Sequence, residues 1–146
     1  MTDLFTQQSS IIARLTSQVT TATTYYGSQV VGANSEPIKS GIFVAPGEAV
    51  LLDASVPSRT GGAVERHAWR VICRATMNTG AATAATRVEH TLGTLCHSVI
   101  KALHGYPLTR GTTNELRYIG HDEMQYDVAA GYAEVSLKFS ADMAIS

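Results

Sequence analysis

The sequence predicts an α+β fold, in which a mainly antiparallel β-sheet of four to five strands packs with two amphipathic helices. Two segments, near residues 3–19 and 81–104, repeat apolar residues at the spacing of an amphipathic helix. Several shorter segments form apolar runs or alternate apolar and polar residues, as strands do. The predicted order is helix, two or three strands, helix and two strands, and the short links between consecutive strands favour antiparallel pairing.

The first helix is predicted over residues 3–19. The β-branched threonines within 20–24 lose rotamer freedom in a helix, so we expect the helix to end there. Residues 25–40 hold Gly, Asn and Pro, and they predict a loop that leaves room for a short strand at 29–31.

Two short strands, 41–44 and 49–52, are predicted on either side of the turn-forming pair Pro46-Gly47. Residues 54–64 are rich in glycine and small polar residues, and they predict a loop in the most loop-like part of the chain.

A half-buried strand is predicted over residues 65–75, because apolar and polar residues alternate there. One face of this strand carries Trp69, Val71, Cys73 and Ala75. The other face carries Arg66, Arg70 and Arg74, together with Ala68 and Ile72.

The second helix, over 81–104, is predicted from a single apolar stripe and from Gly105 and Pro107, which stand where helices commonly end. Strands follow at 116–120 and 132–139, with a polar loop between them. The helices and the sheet should together bury a common core that includes Leu15, Trp69, Val71, Leu92, Leu95, Val99, Val135 and Leu137.

Composition limits the classes of function. A chain of 146 residues has the size of one domain, and we expect a single domain over 1–146. The net charge of -1 and the lack of a basic run argue against a specific nucleic-acid binder. No apolar stretch approaches the ~20 residues that span a bilayer, and the first residues lack the pattern of a secretion signal. A charged fraction of 16% is low, which favours burial of surface in an oligomer.

The two cysteines, Cys73 and Cys96, are predicted to be reduced and buried apolar residues. A redox pair is the less favoured alternative, because neither cysteine stands in a C-x-x-C motif.

No catalytic, cofactor-binding or metal site is predicted, so we do not expect an enzyme. The second helix carries three histidines at intervals of seven, namely His90, His97 and His104. That interval separates two rings by about 10 Å, so no two of them bind one metal ion. His121 and Asp122 are adjacent on an extended segment and should point to opposite sides, and His67 is expected at the rim of its strand. No nucleophile elbow, P-loop or dinucleotide motif occurs.

The arginines of the predicted strand 65–75 are the most suggestive polar feature. Their interval of four residues places them on one face, about 13 Å apart. Cross-strand ion pairs with carboxylates such as Glu134 are the favoured explanation, and a partner-binding surface is the alternative. The candidate subunit or partner interface consists of Arg59, Glu65, Arg66, Arg70 and Arg74.

The order of elements, together with four segments, resembles a known family. The segments are SGIFVAPG at 40–47, HAWRVICR at 67–74, VIKALHGYPL at 99–108 and YAEVSLKF at 132–139. They resemble the tail terminator, or tail completion, proteins of long-tailed bacteriophages, a class that includes the lambda terminator and its Mu-like prophage equivalents. The resemblance spans nearly the whole chain and lies in its pattern.

This resemblance implies a structural protein of virion assembly, without catalytic residues or cofactors. It implies a homo-oligomeric ring, usually a hexamer, that caps the tail tube and provides the head-joining surface. The implied partners are other copies of the chain, the tail-tube protein and head-completion or connector proteins, with no specific nucleic acid and no membrane. The implied location is the virion tail, with assembly in the host cytoplasm. The alternatives are a neck or head-closure component, or a small enzyme or ligand-binding module with a diffuse site.

Overall fold

The computed structural model describes residues 6–29, 36–51, 63–77, 87–108 and 115–145. Within these ranges the chain forms two helices and six strands, which confirms the predicted α+β class. In chain order they are α1 (Thr6–Gln18), β1 (Thr24–Tyr26), β2 (Gly41–Leu51), β3 (Ala63–Thr76), α2 (Val88–Leu103), β4 (Arg117–His121), β5 (Gln125–Asp127) and β6 (Tyr132–Ile145).

The six strands form one sheet in the order β1-β2-β3-β6-β4, and β5 pairs with β6 on the same side as β4. Only β1 and β2 run parallel among the described pairs. The two 14-residue strands β3 and β6 form the centre of the sheet and pair along their whole length. Because β4 and β5 pair with successive parts of β6, they act together as one interrupted edge strand.

Both helices pack on one face of the sheet, which we call the inner face, and the opposite side is the outer face. In the register of β3 and β6, Trp69 lies opposite Phe139 and Val71 lies opposite Leu137. All four side chains are buried in the core shared with α1 and α2. Trp69 Nε1 donates a hydrogen bond of 2.9 Å to Gln7 Oε1 of α1, so a buried polar contact also fixes the first helix on the sheet.

Helix α1 ends at Gln18, close to the predicted end at residue 19, and the first residues of the predicted helix lie outside the described ranges. Strand β1 was not predicted. It is only three residues long and consists of Thr and Tyr, which favour strands, but so short a segment carries no periodicity. Gln29 belongs to a 3-10 turn, Gly27–Gln29, and the other residues of the predicted strand 29–31 lie outside the description.

The two strands predicted at 41–44 and 49–52 are one continuous strand, β2. Its pairing with β3 shifts by one residue between Pro46 and Ala49. A Cβ at Gly47 would lie 3.1 Å from the carbonyl oxygen of Ala68, so glycine suits this close approach. The Pro46-Gly47 pair therefore does not end the strand. It lies at a β-bulge, where β2 has one more residue than the opposite segment of β3.

The loop predicted over 54–64 lies outside the described residues, except that Ala63 and Val64 already belong to β3. Residues 81–86 of the second predicted helix also lie outside them, and α2 is described from Val88.

The predicted core is confirmed at seven of its eight positions, which are all buried. The eighth, Leu95 of α2, is only partly buried and packs against the margin of the core, so the prediction of strong burial is wrong there. The reason is that the fully buried stripe of α2, with Leu92, Val99 and Leu103, is narrower than the apolar pattern. Cys96, also predicted to be buried, is likewise only partly buried.

Strand β4 matches the predicted strand at 116–120 within one residue. Strand β5 was not predicted and lies within the predicted polar loop. Its residues Gln, Tyr and Asp are all exposed, so the sequence shows no alternation there. Strand β6 continues six residues beyond the predicted end at residue 139, up to Ile145. Ser140 and Ala141 are both buried there, although neither is a strong strand former.

Candidate functional site

The outer face of the sheet displays part of the predicted arginine row. Arg66 Nε donates a hydrogen bond of 3.0 Å to Oδ1 of Asp142, its register partner on β6. This hydrogen bond raises the pKa of Arg66. The side chains are 47% and 40% exposed, so water screens this ion pair and it contributes little to stability. Arg66 is therefore held only weakly and remains accessible.

Asp122 lies between two cations on the same face. Lys138 Nζ is 2.8 Å from Asp122 Oδ1, and Arg70 Nη2 is 3.9 Å from Oδ2. The hydrogen bond from Lys138 lowers the pKa of Asp122, and the charges of Lys138 and Arg70 add to the effect. Arg70 is 52% exposed, so it too remains accessible from solvent.

Arg74 differs from its two neighbours in the row, since only 7% of it is exposed. Its Nε and Nη2 donate to Glu134 Oε2 at 3.1 and 2.9 Å, and Nη1 donates to the carbonyl oxygen of Ile38 at 2.9 Å. The guanidinium carbon lies 4.0 Å from the ring centre of Tyr132 and 4.8 Å from that of Phe43. The predicted cross-strand pair with Glu134 is present. Arg74 is thus held within the fold rather than offered to a partner.

The remaining candidate interface residues lie elsewhere. Glu65 is not on the outer face with the arginines, because its Oε2 lies 3.0 Å from Nε2 of the inner-face residue His67. His67 is only 5% exposed, so its predicted rim position is wrong: the carboxylate of Glu65 gives the buried ring a partner. Arg59 lies outside the described residues. Of the candidate interface residues that the structure describes, Arg66 and Arg70 are therefore the two that are exposed on the outer face.

A depression of about 440 Å³ opens on the outer face beside Arg70 and Asp122. Ile72 and Ser136 also line it, and the buried hydroxyl of Ser136 has no hydrogen-bond partner among the described residues. Glu123 contributes a further carboxylate. Charges of both signs around a small apolar area suit contact with a polar protein surface.

A second concave surface, which we call the helix groove, lies between α2 and the strands β4 and β6 and has a volume of about 340 Å³. Its lining is mainly apolar and includes Cys96, Ile100, Tyr118, Met124, Val135 and Leu137. Gly93 leaves the helix side open, since a Cβ there would meet no atom within 4 Å.

Several polar groups at the helix groove make hydrogen bonds. The Tyr118 hydroxyl and His121 Nδ1 are 2.8 Å apart, and the Tyr126 hydroxyl donates to Glu89 Oε1 at 3.2 Å. Burial is the main cause that raises the pKa of Tyr118, so this phenol is neutral at pH 7. The groove therefore offers an apolar surface with a polar rim.

The histidines do not converge on a centre. His90, His97 and His104 are all exposed, and His104 Nδ1 accepts a hydrogen bond from the Tyr118 amide at 3.1 Å. His121 and Asp122 diverge as predicted, because one contacts Tyr118 and the other contacts Lys138. Within the described ranges, no three His, Cys, Asp or Glu residues are grouped so that they would hold a metal ion.

Large apolar side chains are exposed at the two opposite edges of the sheet. On the described surface these are Tyr26 (41%), Ile119 (57%), Tyr126 (52%) and Val128 (81%). Tyr26 belongs to the edge strand β1, whereas Ile119 and Tyr126 belong to β4 and β5, and Val128 follows β5 directly. The sequence did not reveal this pair of patches, because the edge position of a strand depends on the order of strands in the sheet.

Comparison with known proteins gives one informative result. No family model and no curated protein matches the chain. Among solved structures, a chain from the virion of a native gene transfer agent particle has a similar fold, with a TM-score of 0.55 and 22% sequence identity. The match covers 92% of this chain and 92% of that chain, so the likeness extends over nearly the whole fold. Neither described helix has the length and apolar character needed to cross a membrane.

Proposed function

We propose that this protein is a structural component of a phage-like virion. The observation that carries the proposal is the likeness in fold to a chain of the gene transfer agent virion over 92% of both chains. A match of that extent includes the sheet and both helices rather than a local motif. The resemblance of the sequence to tail terminators supports the same class of function from a separate observation.

The finer proposal is a closed ring of identical copies, with six as the expected number, that caps the tail tube and joins it to the head. In such a ring each copy contacts its two neighbours head to tail, so each copy needs two different and complementary surfaces. The exposed apolar residues support this arrangement, because Tyr26 lies at one sheet edge and Ile119 and Tyr126 lie at the other. Edge strands also present unpaired backbone groups that a neighbouring copy can use.

The outer face is the proposed contact surface for the tail-tube or head-completion proteins. Arg66 and Arg70 are exposed there, and arginine is enriched in protein interfaces. Their present ion pairs with Asp142 and Asp122 are weak. Each arginine can therefore leave its aspartate and bind a carboxylate of the partner protein at little cost in free energy. In this proposal the protein resides in the virion tail after assembly in the host cytoplasm.

The ring is tested by sedimentation and electron microscopy of the purified protein over a range of concentrations. We expect one discrete closed assembly, and we expect Tyr26→Ser and Ile119→Ser each to release monomers, because each removes one of the two surfaces. Lys101→Ser, at an exposed position on α2, is the matched control and should assemble normally. A protein that stays monomeric at every concentration, also with tail-tube protein added, would contradict the ring.

The virion role is tested separately by mass spectrometry of purified particles. We expect the chain at a constant ratio to the tail-tube protein. Arg66→Ala combined with Arg70→Ala should leave the ring intact and weaken its binding to the tube or the head. Absence of the chain from washed particles would contradict a structural role in the virion.

A ligand-binding module is the second candidate function, and the helix groove is the observation that favours it. A volume of about 340 Å³ with an apolar lining falls at the lower end of the range for small-molecule sites. The test is a thermal-shift and NMR screen with small aromatic and aliphatic compounds. Binding that Gly93→Leu abolishes would support this candidate, because the leucine would fill the groove. A screen without any hit would remove it.

A further inference from the structure

Cys73 and Cys96 bring two free thiols together between the sheet and a helix. Cys73 lies on the inner face of β3 and is fully buried. Cys96 lies on α2 and packs against the same core cluster. Val135, the register partner of Cys73, lines the same groove as Cys96, so the two thiols lie close together, and each shifts the pKa of the other. The fold therefore joins two cysteines that the sequence separates and that no motif connects.

The two thiols differ in access and in acidity. Cys96 is partly exposed and lines the helix groove beside Val135 and Leu137, whereas Cys73 lies behind it in the core. The hydrogen bond from Cys73 lowers the pKa of Cys96. The same contact, together with burial, raises the pKa of Cys73 well above its ordinary value. An accessible thiol of lowered pKa next to a second, less acidic one is the arrangement of an attacking and a resolving cysteine.

We propose that Cys96 and Cys73 form a thiol–disulfide exchange site that closes to a reversible disulfide between α2 and β3. The oxidant is a low-molecular-weight disulfide such as oxidised glutathione. The Cys96 thiolate attacks one sulfur of this disulfide, which forms a mixed disulfide and releases the first glutathione thiolate. Cys73 Sγ then loses its proton and attacks Cys96 Sγ, so the second glutathione leaves as a thiolate. The protein loses two protons and two electrons in total, and these convert one oxidised glutathione into two reduced molecules.

The position of the site gives the disulfide a structural effect. Val135 is the register partner of Cys73 on β6 and also lines the helix groove, so the new bond would form directly under the lining of the groove. It would bind α2 covalently to the centre of the sheet. The site does not depend on the proposed role in the virion, because it uses contacts within one chain only.

The test uses the folded, fully reduced chain, incubated at neutral pH with oxidised glutathione and followed by intact mass and by maleimide labelling after denaturation. We expect the wild type to lose two hydrogens in mass, to keep no glutathione and to lose both reactive thiols. Cys73→Ala should stop at the mixed disulfide on Cys96. Cys96→Ala should remain unmodified, because Cys73 is buried. Near-ultraviolet circular dichroism confirms that each protein is folded during the reaction.

The wild-type result decides the proposal even if a variant fails to fold. A folded wild-type chain that keeps both reactive thiols would overturn the proposal. A stable glutathione adduct or a disulfide between two chains would overturn it as well.

Discussion

Arg74 and Glu134 face each other across the central strands β3 and β6, and the guanidinium of Arg74 lies between the rings of Phe43 and Tyr132. The Nη2–Oε2 distance is 2.9 Å, and the arginine side chain is only 8% exposed. Phe43 is fully buried on the outer face because Tyr25 stacks on it at 5.2 Å from the other direction. One buried cation thus organises a small second core on the side of the sheet that the helices do not cover.

Replacement of this cation should be costly. Arg74→Ala should lower the free energy of unfolding by about 2–4 kcal/mol, because it leaves Glu134 without its partner in a partly buried position. Arg66→Ala is the matched control on the same strand face, and it should cost much less, because water screens its exposed ion pair. Urea denaturation of both variants measures the difference. Equal losses of stability would contradict the structural role of Arg74.

Two leucines of α2 should respond differently to truncation. Leu92 is fully buried, so Leu92→Ala should cost about 2–5 kcal/mol, the usual range for a packed leucine. Leu95→Ala should cost clearly less, on the order of 1 kcal/mol, because part of the side chain already contacts water. Thermal unfolding followed by circular dichroism compares the two. A larger loss for Leu95 than for Leu92 would mean that the register of α2 on the sheet is wrong.

Two glycines should respond in opposite directions to the same substitution. A Cβ at Gly93 or at Gly105 would meet no atom within 4 Å, so only the backbone distinguishes the two positions. Gly93 lies inside α2, and Gly93→Ala should stabilise the protein by about 0.5–1 kcal/mol through helix propensity. Gly105 has φ +81, so Gly105→Ala should destabilise it by roughly 1 kcal/mol.

The measurement for the glycine pair is the midpoint of guanidinium unfolding. A loss of stability in Gly93→Ala would show that the helix groove has no room for the added methyl group.

Acid should weaken the cluster around Asp122. The folded state lowers the pKa of this carboxylate below its ordinary value of 3.8, chiefly through the hydrogen bond from Lys138. A group with a lowered folded pKa contributes stability above its unfolded pKa and loses that contribution as pH falls through the folded pKa. We therefore expect the contribution to be complete at pH 7 and to disappear at pH values below 3.8.

The Asp122 carboxyl resonance, followed by NMR against pH, measures this pKa directly. In Lys138→Met the pKa should move up towards its ordinary value. Glu123→Gln is the control, because Glu123 is not among the groups that shift the pKa of Asp122, so its loss should leave the titration nearly unchanged. An Asp122 pKa that does not respond to Lys138→Met would assign the shift to another cause.

The sequence predicted those elements that carry their own periodicity. Strand β3 and helix α2 were found because each has enough residues to show a clear pattern of burial. Strand β5 was missed because Gln125, Tyr126 and Asp127 are all exposed and its partner strand alone makes it a strand. β1 was missed for the same reason, since a three-residue parallel pairing with β2 leaves no local trace.

The candidate surfaces were predictable only in part. The pairing of Arg74 with Glu134 followed from alternation along two strands, but the enclosure of Arg74 between two rings depends on how distant segments meet. The proximity of Cys73 to Cys96 and the exposed edge residues also arise from tertiary structure alone. Local pattern fixes which face a residue occupies, whereas the neighbour across that face depends on the order of strands.

The central position of β6 has a consequence for synthesis on the ribosome. β6 pairs with β3, β4 and β5, and all three leave the ribosome before it does. Until residues 132–145 emerge, β3 lacks one of its two neighbours and β4 and β5 lack the strand with which they pair. The complete sheet therefore forms late, and a nascent chain broken off before residue 132 lacks the strand that joins β3 to β4 and β5.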